Sequence, residues 1–63
     1  MMRKELDMPL YETLATNFGA VYYRGANQTD AIIVAKQSGF ECTVTENGRL
    51  IASYSPISGM KYY

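Results

Sequence analysis

A chain of 63 residues makes one domain at most and buries only a modest core, so residues 1–63 are read as a single small domain. One cysteine, Cys42, excludes an intrachain disulfide, and with no histidine and no Cys-x-x-Cys pair there is no ligand set for zinc. Six acidic against six basic residues leave no net charge, which argues against a dedicated duplex nucleic-acid binder and equally against an acidic mimic of nucleic acid.

Without disulfide or metal, a chain this short depends on close packing or on self-association, and a homodimer is a reasonable expectation. A lone thiol fits a reducing compartment. The start Met-Met-Arg-Lys-Glu-Leu-Asp has no apolar core of a secretion signal, and no apolar run approaches membrane-spanning length. The expectation is a cytoplasmic protein without a membrane partner.

Taken in order, Met1 to Met8 read as a polar, frayed start. Pro9 to Phe18 fits two elements. As a helix, Asp7 caps it, Pro9 lies in the first turn, Leu10, Leu14 and Phe18 line one face, and Gly19 ends it. As a strand, its two faces alternate without either being cleanly apolar. The residues themselves slightly favour the helix.

Ala20–Gly25 is a β-branched and aromatic run between glycines and predicts a strand. Alternation sets Val21 and Tyr23 on one face, Tyr22 and Arg24 on the other. Thr29 is the expected N-cap of a helix over Asp30–Ser38, with Asp30 at its positive end and Gly39 as its stop. Ala31, Val34, Ala35 and Ser38 form a narrow stripe of small residues that lets this helix lie close on a sheet. Ile32 and Ile33 widen the stripe.

Asn47-Gly48 between two β-prone runs predicts a two-residue hairpin, because the pair supplies the two positive φ angles of a type I′ turn. Uninterrupted pairing sets Glu46 against Arg49, Thr45 against Leu50, Val44 against Ile51 and Thr43 against Ala52. Phe40, Cys42, Val44 and Ile51 are then the core, and Leu50, Ala52 and Tyr54 form a second apolar strip on the back. That strip is either a contact surface or the floor under a folded-back N-terminal segment. Pro56 ends the hairpin, Pro56–Gly59 turns, and Met60–Tyr63 returns as an edge strand. The fold class is α+β, one short helix packed on a small antiparallel sheet.

No catalytic set is visible. The usual general base, histidine, is missing, and Cys42 sits on the proposed core face, where a thiol is inert. Asp30 serves the helix dipole and Glu46 faces Arg49. No glycine-rich phosphate loop occurs, so neither an enzyme nor a cofactor is expected. The notable feature is six tyrosines, rigid and amphipathic residues enriched at interfaces. The candidate contact residues are Tyr22, Arg24, Arg49, Tyr54, Lys61, Tyr62 and Tyr63. They suit a protein partner. Tyrosines with Arg24, Arg49 and Lys61 also describe a stacking surface for single-stranded nucleic acid, the second reading. A structural homo-oligomer subunit is the third.

The helix entry carries Ala26, Thr29, Asp30, Ala31 and Ala35. Phe40, Gly48, Leu50, Ala52, Tyr54, Gly59, Lys61 and Tyr62 follow. On these residues the chain resembles very small phage-encoded proteins, among them type I anti-CRISPR proteins and small phage inhibitors of host polymerase. The resemblance implies a strand in the first segment. It also implies a non-enzymatic inhibitor that acts by steric occlusion of a host defence complex.

Overall fold

The computed structural model describes residues 8–63. The expectation of a frayed start falls on residues outside that range, apart from Met8. Five strands and one helix follow in the order β1 (Tyr11–Ala15), β2 (Val21–Gly25), α1 (Gln28–Ser38), β3 (Cys42–Glu46), β4 (Arg49–Ser55) and β5 (Gly59–Tyr62). The strands form one antiparallel sheet in the order β2-β1-β3-β4-β5, with α1 packed on β1, β2 and β3. This is a small α+β fold.

The first segment is a strand and not a helix. β1 is an interior strand of the sheet, between β2 and β3, with Tyr11, Thr13 and Ala15 buried beneath α1. Its inner face is only half apolar, and Thr13 is tolerated there because its hydroxyl donates to the Ala31 carbonyl at 2.7 Å. The segment after Ala15 is a turn. Gly19 N–H donates to the Ala15 carbonyl at 2.8 Å, and Gly19 itself has φ 70°. Phe18, expected on a helix face, instead projects from this turn.

The helix begins earlier than its best-looking cap. Asn27, not Thr29, is the N-cap, and its side-chain oxygen accepts from Asp30 N–H at 3.0 Å. The Tyr23 hydroxyl accepts from Asn27 N–H at 3.2 Å, with the Tyr23 ring lying over Gly25. Gly39 ends α1 in the left-handed region, φ 80°. The small-residue stripe is the buried one: Ala31 and Ala35 are fully enclosed, Val34 and Ser38 half-buried.

β3 and β4 are joined through Asn47 (φ 53°) and Gly48 (φ 86°). Asn47 is also tied to β1. Leu10 N–H donates to its Oδ1 at 2.9 Å, and its own N–H donates to the Leu10 carbonyl at 2.8 Å. The register starts as expected, Glu46 against Arg49 and Thr45 against Leu50. It then slips, setting Val44 against Ala52 and Cys42 against Tyr54. Ile51 is the extra residue of a β-bulge.

One inserted residue redistributes the faces. Ala52 is fully buried, and Tyr54 joins Ile51, Met60 and Tyr23 around the core of Tyr11, Ala31, Ala35, Cys42, Val44 and Ala52. The expected back strip of Leu50, Ala52 and Tyr54 therefore does not exist, and only Leu50 remains on that face. Phe40, assigned to the core, is 52% exposed, because the chain leaves α1 at Gly39 and reaches the sheet only at Cys42. A second bulge interrupts β2 at Tyr22, between the Thr13–Tyr23 and Leu14–Val21 pairs. Val21 thus does not share a face with Tyr23.

Candidate functional site

The residues singled out from the sequence are divided between the two faces of the sheet. Tyr54 and Tyr62 lie on the helix side, where Tyr54 is half-buried against the core and Tyr62 sits opposite Ala52. Arg49 opens β4 opposite Glu46. Arg24, Lys61 and Tyr63 lie on the other face. There Arg24 Nε meets Glu12 Oε2 at 2.7 Å. Lys61 Nζ stands 5.4 Å from the centroid of the Tyr63 ring, whose hydroxyl is 3.1 Å from Ser53 Oγ. Tyr22 is on β2 and Tyr62 on β5, opposite edges of the sheet and roughly 19 Å apart at four strand spacings. No single stacking surface collects these tyrosines and the basic side chains.

The structure gathers a different set. Phe18 from the β1–β2 turn, Tyr22 from the β2 bulge, Val34 from α1 and Phe40 from the α1–β3 link converge at one corner. The Phe18 and Phe40 rings meet edge to face, centroids 6.0 Å apart at 87°. Tyr22, Val34, Gln37, Ser38 and Phe40 line an open hollow of about 370 Å³, and none of these residues is charged. Phe18 is 70% exposed and Tyr22 37% exposed, so the rings are available from outside.

Local chemistry explains each position. The left-handed Gly39 throws Phe40 back along the helix toward Val34, the apolar contact that accompanies a glycine helix stop. The bulge turns Tyr22 from the face that strict alternation gives it to the side of the helix. Ser38 anchors the link. Its hydroxyl donates to the Ala35 carbonyl at 2.8 Å, accepts from Phe40 N–H at 3.1 Å and lies 3.2 Å from Cys42 Sγ. Of the corner, sequence reasoning found Tyr22 alone. Phe18 and Phe40 were credited to helix and core, because large apolar residues are assumed to be inside. The signal that could have found Phe40 is its place directly after the helix-stop glycine.

Cys42 is buried, with its thiol within hydrogen-bonding distance of Ser38 Oγ and of the Phe40 carbonyl. Tyr11 stands opposite Glu46 across β1 and β3. Burial first, then the charge of the Glu46 carboxylate and the hydrogen bond to it, hold the Tyr11 hydroxyl above its ordinary pKa of 10.0. Among the described residues no group of three or more Asp, Glu or Cys side chains could hold a metal ion, and no helix is long and apolar enough to cross a membrane. The face away from α1 carries Leu14, Val21 and Leu50 around the Glu12–Arg24 ion pair, with no layer over it among the described residues.

No protein-family model matches the chain, and neither a curated protein nor a solved structure is significantly similar to it.

Proposed function

We propose that this chain is a non-enzymatic protein-binding module that docks through the Phe18–Tyr22–Phe40 corner. The observation supporting the reading is the exposure of three aromatic side chains around an uncharged hollow. Exposed aromatic clusters are costly to leave in water and dominate binding energy when a partner covers them. The rings project from a turn, a bulge and a link, yet each is set by a hydrogen-bonded or glycine-fixed backbone, so little ordering cost remains on binding. The resemblance to small phage-encoded inhibitors supports the finer proposal, a stoichiometric inhibitor that occludes a host defence complex.

The test is capture from host lysate with tagged protein, treated with nuclease, in wild-type and Phe18→Ala/Phe40→Ala forms. The expected result is a stoichiometric partner held by the wild type. The double variant should lose at least about thirtyfold in affinity, as hot-spot aromatics do, at an unchanged melting temperature. Equal capture by both forms would remove the corner from the interface. Recovery only through nucleic acid would move the function to the single-strand reading.

A further inference from the structure

Among the described residues the sheet has two outer edges, and they differ. β2 is interrupted by the Tyr22 bulge, a device that spoils pairing with another strand. β5 is regular. Gly59, Met60, Lys61 and Tyr62 pair with Ser55, Tyr54, Ser53 and Ala52 without a slip, and Tyr63 N–H extends the ladder to the Ile51 carbonyl at 2.9 Å.

That last bond fixes which groups point outward. In an antiparallel ladder hydrogen-bonded pairs alternate with open ones. Tyr63, Lys61 and Gly59 therefore turn their backbone groups toward β4, and Met60 and Tyr62 turn theirs to the outside. The side chains alternate too. Met60 and Tyr62 share the helix side with Tyr54 and Ala52, and Lys61 lies on the other face beside Ser53. Among the described residues α1 packs on β1, β2 and β3 and leaves the β5 end of that face open, and Tyr62 is 59% exposed.

We propose that the outer edge of β5 is a strand-addition site for an extended segment of a partner protein with the pattern apolar–acidic–apolar. Paired antiparallel, as every strand of this sheet is, the segment takes both outward pairs of backbone bonds from Met60 and Tyr62. Its apolar residues lie opposite those two side chains and extend the surface around Tyr54. Its carboxylate lies opposite Lys61, the one charged residue of the strand.

Charge selects this occupant over a second copy. Two β5 strands sharing both outward pairs would set Lys61 against Lys61, like charges at the closest cross-strand approach. A slide of two residues, which keeps outward groups facing each other, leaves one outward residue of each strand in the overlap. The Tyr63 ring already holds the lysine on the open face, where an incoming carboxylate meets it. The site is at the opposite edge from the aromatic corner and does not depend on it.

The experiment titrates isotope-labelled full chain with end-blocked seven-residue peptides, valines flanking a central glutamate or a central lysine. The expected result is amide shifts centred on Met60–Tyr62, slowed hydrogen exchange at the Met60 and Tyr62 amides, and binding of the glutamate peptide at least about threefold tighter. Lys61→Glu should reverse that order, and Lys61→Gln should abolish the preference, each with the remaining spectrum unchanged. Shifts confined to other strands, no binding of either peptide, equal affinities in the wild type, or self-pairing of the wild type through these amides would overturn the proposal.

Discussion

Thr13 and Tyr11 show how two polar side chains settle inside a sheet with little apolar material to spare. Thr13 is fully buried with its hydroxyl on the Ala31 carbonyl, so it couples β1 to the helix. Tyr11 is buried two residues away on the same face, with Glu46 opposite it on β3. The folded state holds the Tyr11 proton more tightly than the unfolded chain does. The stability this contributes is complete below pH 10.0, the ordinary tyrosine value, and is lost as the pH rises through and beyond it. Thermal melts between pH 8 and 11 should show an alkaline decline in the wild type that is smaller in Tyr11→Phe. Parallel curves would remove Tyr11 from the alkaline response. Neither residue was legible as core in the sequence. A threonine or a tyrosine inside a strand becomes a core residue only once a partner for its hydroxyl exists, and here those partners are 18 and 35 positions away in the chain.

At the level of elements, what could be read was what is local. The helix stop at Gly39 and the Ala31–Ala35 stripe follow from one residue's conformational freedom and from side-chain size, and both are in place. The N-cap moved by two positions because Asn27 and Thr29 both qualify, and the Tyr23 hydroxyl on Asn27 N–H favours the earlier one. The two bulges could not be read, since a single extra residue leaves composition and periodicity intact while reversing every face beyond it. That reversal put Ala52 inside and turned Tyr54 to the helix side of the sheet. It can be tested with two chains of equal length. Deleting Ile51 removes the bulge and leaves Ala52 opposite Val44. Deleting Ala52 puts an isoleucine in a slot that holds only alanine. Chemical denaturation should find the second chain less stable by about 1–3 kcal/mol. Equal stability, or the reverse order, would mean that Ala52 does not occupy a closed slot.

At the scale of the molecule, the largest fully buried side chains among the described residues are Val44, Thr13 and Cys42, and apart from Tyr11 the interior is made of small groups. The larger apolar residues, Phe18, Phe40, Leu50 and Tyr62 among them, remain outside. Such an interior gives a thin margin of stability, because burial of apolar area is the main term opposing chain entropy. It also leaves the only thiol of the chain sealed at its centre. Reaction of Cys42 with an aromatic disulfide reagent should be slow in native buffer and should accelerate with denaturant in step with global unfolding. A fast, denaturant-independent reaction would show local opening of the Ser38–Cys42 link. Cys42 is therefore a clock built into the molecule, running only while the sheet is open. Any ligand that prefers the closed form slows it by a factor set by its concentration relative to its dissociation constant. Extracts, peptides and purified proteins can then be ranked by how far each slows a single colour change, with no tag, no label and no prior guess at which edge of the sheet they touch.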